Sequence, residues 1–195
     1  KIIVIINAKD VKRAGYKYKS IYANAEYINS NINLKELRID DSKGTLFGDA
    51  NWSINSKKIP FNFKSTIDFQ SLLTSFGNSP LLDDITFINS PQIEARGELH
   101  LGNLELPTNH DPKLQVELIG TFKSGSFISK EILFEEAYAD FSYEKNKWYA
   151  RNLTLQHASG TANGNILWDT LSDIQFDTEI NMDPTVFVPF FKQPP

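Results

Sequence analysis

SIYANAEYINSNINLKELRIDDSKGTLFGDANWS (residues 20–53) is followed, 116 residues later, by a second version of the same pattern, EAYADFSYEKNKWYARNLTLQHASGTANGNILWD (residues 136–169). The two segments align without a gap and share eight of 34 residues, where about two are expected by chance from average residue usage. An internal duplication predicts an architecture of equivalent units, with function spread along a surface instead of one focal site. The shared residues are Tyr22, Ala23, Tyr27, Leu37, Gly44, Thr45, Gly48 and Trp52, which recur as Tyr138, Ala139, Tyr143, Leu153, Gly160, Thr161, Gly164 and Trp168.

Both segments alternate between apolar and polar residues, a pattern typical of strands with one apolar face. The apolar positions change parity between Leu34 and Leu37, which predicts a β-bulge in the second strand of the unit. Ala150 and Leu153 show the same change in the second segment. In the polar turn that follows the first bulged strand, Gly44 is predicted to adopt a positive φ.

A fourth strand and a short helix complete each unit. Asp68 is predicted to be the N-cap of the first helix, and Asp183 precedes Pro184, which suits the first position of the second helix. Each unit is therefore expected to consist of four strands and one helix. The helices are predicted near 68–76 and 183–191, and the internal repeats extend over 20–76 and 136–191.

The residues between the repeats, 85–133, are predicted to contain linking strands. The whole chain is then mainly β, an internally duplicated antiparallel β-meander that forms a single elongated domain over 1–195. A chain of 195 residues can bury a sizeable core without disulfides or metals. Because the sequence begins at Lys1, we expect it to be a segment of a longer protein. The linking strands are predicted at 85–88, 92–101, 114–122 and 127–133.

Charge and composition exclude several classes of protein. The formal net charge of −4 argues against a nucleic-acid-binding protein, whose surface is normally basic. The basic stretch from Lys9 to Lys19 is interpreted as a solvated loop that leads into a strand with a charged outer face, with nucleic acid or lipid headgroups as the alternative contact. The absence of cysteine excludes disulfides, thiol catalysis and cysteine-ligated metals. The apolar run from Ile2 to Ile6 is much shorter than the roughly 20 residues of a membrane-spanning helix.

No catalytic or metal-binding motif is recognisable in the sequence. The histidines lack ligand spacing and are interpreted as surface residues: they are His100, His110 and His157. Adjacent carboxylates point to opposite faces of a strand or are solvated in turns. The chain is therefore predicted not to be an enzyme and to bind no cofactor or metal. The enzymatic alternative is a carbohydrate-active β-protein with paired carboxylates drawn from Asp40, Glu94 and Glu98.

A long sheet with one apolar face must cover that face. The cover can be the sheet itself as a closed sandwich or barrel, the short helices, or an apolar ligand held in a groove. Periodicity alone leaves open whether the inward residues form a core or line a groove. The candidate lining residues are Leu46, Ala50, Trp52, Ile54, Phe61, Phe63, Ile93, Leu99, Leu101, Val116, Leu118, Phe141, Ile166 and Trp168.

Two stretches, Leu37 to Asp68 and Leu153 to Asp183, share a longer order of features. Each has a Leu-x-Ile or Leu-x-Leu triplet, a polar turn with glycine, a second glycine four residues later, a tryptophan, and a strand that ends in aspartate before an apolar helix. Together with SPQIEARG at residues 90–97, this order resembles the AsmA-like family of bacterial envelope proteins.

The resemblance implies a curled, β-taco-like sheet that forms an apolar groove, as in the related bridge-like lipid-transfer proteins. Such a groove shields phospholipid acyl chains during transport between membranes and serves cell-envelope maintenance and outer-membrane biogenesis. The family implies a periplasmic location, anchorage to the inner membrane by a segment outside this chain, and envelope protein partners. No catalytic residues come with it. The alternative function is a structural or protein-interaction module whose exposed edge strands pair with partners.

Overall fold

The computed structural model describes residues 1–68, 70–72, 84–101, 115–169 and 174–191. Strands dominate these residues, and the helical parts are short: residues 70–72, a 3-10 helix at Pro184–Phe187 and an α-helical turn at Val188–Phe191. The strands are β1 Ile2–Arg13, β2 Tyr16–Ile28, β3 Asn31–Asp40, β4 Thr45–Ser53, β5 Lys58–Ser65, β6 Ile85–Phe87, β7 Gln92–His100, β8 Gln115–Ser124, β9 Phe127–Ser129, β10 Ile132–Phe134, β11 Glu136–Glu144, β12 Lys147–His157, β13 Gly160–Asp169 and β14 Ile174–Asn181.

Eleven of these strands form one open antiparallel sheet in the order β1-β2-β3-β4-β5-β7-β8-β11-β12-β13-β14. Within the described ranges the sheet does not close, because β1 and β14 lie at its two edges. At about 4.8 Å between neighbouring strands, its contour is about 48 Å wide. The remaining strands form a small second sheet in the order β10-β9-β6. The prediction of a mainly β, antiparallel fold is confirmed.

Both predicted β-bulges are present. The register between β3 and β4 shifts between Leu34 and Leu37, and the register between β12 and β13 shifts between Ala150 and Leu153. Asn152, inside the second bulge, has a φ of 51°. An extra residue on one strand leaves its backbone out of the ladder and increases the local twist. The parity changes in the sequence therefore marked real irregularities of the sheet.

Two expectations for connecting segments were wrong. Residues 127–133 are not one strand but the hairpin β9-β10, which turns at Lys130 and Glu131 with φ values of 46° and 70°. The basic stretch from Lys9 to Lys19 is not a loop, because β1 and β2 pair along it and turn at Ala14 and Gly15. Lys130 and Glu131 are not typical turn residues, whereas the turn between β1 and β2 has a glycine, Gly15, at a φ of 86°.

Gly44 also differs from its prediction. The glycines at positive φ in the described ranges are Gly15, Gly160 and Gly164, and Gly44 is not among them. A Cβ atom at position 44 would instead overlap the backbone carbonyl of Thr66. Gly44 is therefore needed for close approach of the chain and not for its φ.

The predicted helix caps are present. Asp68 accepts a hydrogen bond from the backbone N–H of Ser71 at 3.1 Å, as an N-cap residue does. The remainder of the predicted helix 68–76 lies outside the described residues. Asp183 accepts a hydrogen bond from the N–H of Thr185 at 2.9 Å, and Pro184 opens the 3-10 helix. The predicted segment 183–191 is thus helical but divided into a 3-10 and an α-helical turn.

The small sheet and the C-terminal helical turns pack on one end of the large sheet and create the main buried cluster. Phe134 is 2% exposed and stacks on Phe127 with 5.1 Å between ring centroids. Partly buried neighbours, including Phe87 and Phe122, extend the cluster. We call it the end cluster; its buried members are Phe127, Phe134, Ala137, Ala162, Met182 and Val186.

Candidate functional site: the apolar stripe

The register of the large sheet aligns apolar residues from every strand in rows that cross the strands. Directly opposed residues in a sheet project from the same face, so a row of successive partners lies on one face. One such row contains Val4, Ala25, Leu34, Ala50, Phe61, Gly97, Leu118, Tyr143, Trp148, Trp168 and Ile174.

A second row lies beside the first, on the same face. It also has one residue from each of the eleven strands, and none of them carries a charge, amide or hydroxyl group. We call the two rows together the apolar stripe. The second row contains Ile6, Ala23, Leu37, Gly48, Phe63, Ala95, Gly120, Phe141, Ala150, Ile166 and Phe176.

Half of the predicted lining residues belong to the apolar stripe, and most of the others flank it. Trp52 lies opposite Ile32, and the candidates Leu99 and Val116 lie opposite each other. Both pairs are two residues along their strands from the first row and so share its face. Leu46 flanks the second row. Leu101 and Ile54 lie just past strand ends, and Ile54 is exposed. The lining residues within the stripe are Ala50, Phe61, Phe63, Leu118, Phe141, Ile166 and Trp168.

Ile93 is the candidate that differs from this group. Its side chain is only 6% exposed. Its cross-strand partner Phe122 packs against the end cluster. Ile93 therefore belongs to the packed part of the apolar face and presents little surface to a ligand.

Trp148 was missing from the candidate set. It pairs with Trp168 across β12 and β13, and its ring lies 4.6 Å from that of Tyr143 and 6.2 Å from that of Phe141. The same period-two alternation that selected Trp168 also places Trp148 on the inner face, so the signal for it was in the sequence. Together these rings give the stripe an aromatic surface at its β11–β13 end.

Side chains in the middle strands of the stripe are mostly half-buried, whereas those on the edge strands β1 and β14 are exposed. Phe61, Phe63, Leu118, Phe141 and Trp168 are all half-buried. Among the described strands, no second sheet packs over this region, because the small sheet contacts the large one at the end cluster. The partial burial comes from neighbours within the same face. The stripe can therefore contact an apolar ligand directly.

The opposite face of the sheet carries charged side chains together with exposed apolar residues such as Phe47 and Ile119. A depression of about 780 Å³ crosses its middle strands, with charged walls that include Lys64, Glu94 and Arg96. Lys64 pairs with Glu94 across β5 and β7 at 2.9 Å. Exposed ion pairs of this kind contribute little to stability. The two rows of the stripe are thus free of charged side chains, whereas the opposite face mixes charged and apolar ones.

A buried carboxylate fixes the turn between β3 and β4. Asp41 is 4% exposed and accepts hydrogen bonds from the hydroxyl of Tyr16 at 2.5 Å and from the backbone N–H of Asp68 at 2.7 Å. The N–H groups of Lys43 and Gly44 also donate to it at 2.7 Å. Burial raises the pKa of the Asp41 carboxyl, but these hydrogen bonds outweigh burial and hold the pKa below its usual value.

The pKa of Tyr16, which donates a hydrogen bond to Asp41, shifts in the opposite direction. Burial, and then the hydrogen bond to Asp41, raise the pKa of the Tyr16 hydroxyl far above its ordinary value. Tyr16 therefore stays protonated and donates the hydrogen bond. All donors to Asp41 come from the chain itself, so this network holds the fold together at the base of β3 and β4.

Comparisons with known proteins add no relative. A scan of protein-family models finds no match to this sequence, and searches of curated proteins and of solved structures find no significant match. None of the helical segments in the described ranges has the length and hydropathy of a membrane span.

Proposed function

We propose that this chain is a non-catalytic lipid-handling module whose apolar stripe shields phospholipid acyl chains. The observation that carries this proposal is the uninterrupted apolar composition of two adjacent rows across all eleven strands. A protein that used this face only as a core would need a second layer over it. Acyl chains supply such a layer while their headgroups stay in water.

The dimensions of the stripe suit this ligand. Its contour of about 48 Å exceeds the roughly 15 Å depth of one leaflet's hydrocarbon region. The rows run across the strands, so an acyl chain that moves along them meets one uncharged residue per strand. The hydroxyl of Tyr143, in the first row, donates to Asn146. Movement along a surface of this kind requires continuity and low specificity, which the aliphatic and aromatic composition provides.

Further support comes from the parallel features of the two units. The bulges at Leu34 and Ala150 are 116 residues apart, the same spacing as the sequence repeats. Asp68 and Asp183 cap helical turns after the fourth strand of each unit. We infer that the chain is internally duplicated. Two depressions of the sheet lie on the face opposite the stripe, so we propose that the stripe holds acyl chains as an apolar surface. A groove of the AsmA-like kind would require the sheet to curl further toward the stripe side. A periplasmic site, an inner-membrane anchor outside this chain and envelope partners complete the proposal, as the resemblance to AsmA-like proteins implies.

Two neighbouring residues of β8 offer a matched test. Leu118 lies in the stripe, whereas Ile119 projects from the opposite face and is 47% exposed. We expect Leu118→Glu to reduce the phospholipid that native mass spectrometry finds bound after exposure of delipidated protein to lipid. Ile119→Glu is expected to leave that amount unchanged. Equal binding by both variants and wild type would contradict the proposal.

Tryptophan fluorescence locates the lipid. The chain has three tryptophans, of which Trp148 and Trp168 lie in the stripe and Trp52 flanks it. In variants that keep one tryptophan each, phospholipid with brominated acyl chains should quench the emission of all three. Unbrominated lipid is the control. If brominated lipid quenched none of the three single-tryptophan variants, the lipid would lie away from the apolar stripe.

One observation favours a second function, pairing through an edge strand. Along β1, Ile2, Val4 and Ile6 project from one face and Ile3 and Ile5 from the other, and all five are 49% to 63% exposed. In the described chain β1 pairs with β2 alone. An edge strand with apolar residues on both faces can pair with another chain. Self-association in sedimentation velocity that Ile5→Lys abolishes would support this alternative, and a monomer at high concentration would exclude it.

A further inference from the structure

Three metal-ligand side chains meet on the face opposite the apolar stripe, at the ends of β7 and β8. Glu98 lies directly opposite Glu117, and His100 follows Glu98 on the same face, two residues along β7. The Nε2 atom of His100 lies 3.6 Å from Oε2 of Glu98 and 3.7 Å from Oε2 of Glu117. We propose that Glu98, His100 and Glu117 form a binding site for a divalent transition metal, with Zn²⁺ as the best match. This proposal is independent of the lipid function.

The distances fit a shared metal better than direct hydrogen bonds. A hydrogen bond between a ring N–H and a carboxylate needs about 2.7–3.2 Å, so both separations are too long. Ligand atoms about 2.1 Å from a tetrahedral Zn²⁺ are roughly 3.4 Å apart. All three ligand atoms of the cluster lie within 4.8 Å of one another. Small rotations of the two glutamate side chains would bring all three ligand atoms to the metal, with a water molecule in the fourth position.

A second observation points to a missing partner. The side chain of His100 is 25% exposed, but its Nε2 atom is itself covered and has no hydrogen-bond partner among the described residues. A buried polar atom without a partner is costly, and native proteins rarely leave one. A metal ion between the imidazole and the two carboxylates would bind this nitrogen. An imidazole ligand favours Zn²⁺ and its transition-metal neighbours over Ca²⁺ and Mg²⁺, which prefer oxygen ligands.

Solvent can reach the site, and a lysine competes for it. Glu98 and Glu117 line the second depression of this face, about 400 Å³ in volume. The ammonium group of Lys58 lies 2.7 Å from Oε2 of Glu98. Its side chain is 55% exposed and can turn into solvent when a metal replaces it. Lys58 is therefore a competitor for the carboxylate, and its removal should strengthen metal binding.

The sequence contains a signal for this site that was overlooked. In helical metal-binding motifs such as H-x-x-x-H, the two ligands are four residues apart. On a strand, residues i and i+2 share one face, so Glu98-x-His100 already presents two ligands together. The third ligand, Glu117, comes from the neighbouring strand and depends on the register of β7 and β8.

Isothermal titration with ZnCl₂ tests the proposal on chelator-treated, untagged protein. We expect one site per chain in the wild type and an affinity at least about tenfold weaker in His100→Gln and Glu117→Gln. Glu94→Gln and His157→Gln, which alter residues outside the cluster, should bind as the wild type does. Lys58→Gln should bind more tightly. Circular dichroism of each variant identifies any that fails to fold.

Co²⁺ provides an independent measurement. A tetrahedral site with nitrogen and oxygen ligands should give visible d–d absorption on addition of CoCl₂, and His100→Gln should abolish it. Absence of saturable Zn²⁺ binding in the wild type would overturn the proposal. So would equal affinities for the wild type, His100→Gln and Glu117→Gln.

Discussion

Replacement of Asp41 by asparagine should destabilise the protein more than any similar change at an exposed aspartate. One carboxylate oxygen accepts the N–H groups of Lys43 and Gly44, and the other accepts the Tyr16 hydroxyl and the Asp68 N–H. Asparagine preserves the shape but turns one acceptor oxygen into a donor NH₂ group. The Asp68 N–H then faces another donor, and the charge that strengthens all four bonds is lost.

The magnitude follows from the two bonds that lose their acceptor. Hydrogen bonds to a charged group contribute about 1.5–3 kcal/mol each, and the Tyr16 hydroxyl can recover part of this by accepting from the new NH₂ group. We therefore expect Asp41→Asn to lower the free energy of unfolding by about 3 kcal/mol. Asp49 is exposed and bonds only to Asn62, at 3.0 Å, among the contacts of the described residues. Asp49→Asn should change the free energy by less than about 0.5 kcal/mol.

The effect should also depend on pH. The pKa of Asp41 is lower in the folded protein than in the unfolded chain, so the unfolded state binds the proton more readily. The stabilisation by this carboxylate is then complete above its unfolded pKa of about 3.9 and is lost as the pH falls through the folded pKa. The difference between wild type and Asp41→Asn should shrink accordingly below about pH 4.

Urea unfolding followed by tryptophan fluorescence measures both effects. The free energies of unfolding are compared at pH 7 and at a series of lower pH values, with equal slopes in urea as the condition for the comparison. The reasoning would be refuted if Asp41→Asn and Asp49→Asn were equally stable at pH 7. It would also be refuted if the loss in Asp41→Asn grew as the pH was lowered.

Three further changes test the packing of the sheet. Phe134→Ala removes a ring that is 2% exposed and should lower the free energy of unfolding by about 3–5 kcal/mol in urea titrations. Its control, Phe176→Ala, at an exposed site of β14, should lower it far less. Similar losses in the two variants would place Phe134 outside the core. Gly160→Ala puts a side chain at a φ of 143° and against the Asn181 carbonyl, so calorimetry should show a loss of about 2 kcal/mol or more. Gly125→Ala, which meets open space, is its control, and equal melting temperatures would contradict the clash. Tyr143→Ala removes the ring whose centroid lies 4.6 Å from that of Trp148. It should reduce the near-ultraviolet circular dichroism and lower the free energy of unfolding by about 1 kcal/mol more than the lost burial alone. An unchanged spectrum would show that the two rings do not interact.

The sequence predicted the strands of the two repeated segments well because their pattern has a period of two and one face is apolar. The change of parity at Leu34 and Leu37 even located a bulge. β1 escaped this reasoning because Ile2–Ile6 is apolar at every position, and such a run does not distinguish the two faces of a strand. The hairpin β9-β10 was missed because Lys130 and Glu131 are not typical turn residues.

The inward-facing residues of the candidate site were predictable from the sequence, but their alignment into rows across the strands was not. Alternation selected inward residues such as Phe63 and Trp168 strand by strand. That they join into rows depends on the register between strands, which one sequence does not specify. For the same reason the meeting of Glu98 with Glu117 was not foreseen. Ile93 was assigned to the lining because periodicity cannot tell which inward residues the rest of the fold will bury, and Ile93 is 6% exposed.

Most strand pairs in the large sheet join strands that are neighbours along the chain. This connectivity makes the fold modular in length. Removal of one β-hairpin from the middle would bring its two flanking strands together with their direction preserved, and would shorten the sheet by about 10 Å. Both rows of the stripe would close again across the new junction if the register held. Under the proposed function, the length of the apolar stripe changes in steps of one hairpin, and a hairpin deletion that folds but binds proportionally less lipid would demonstrate this dependence on length.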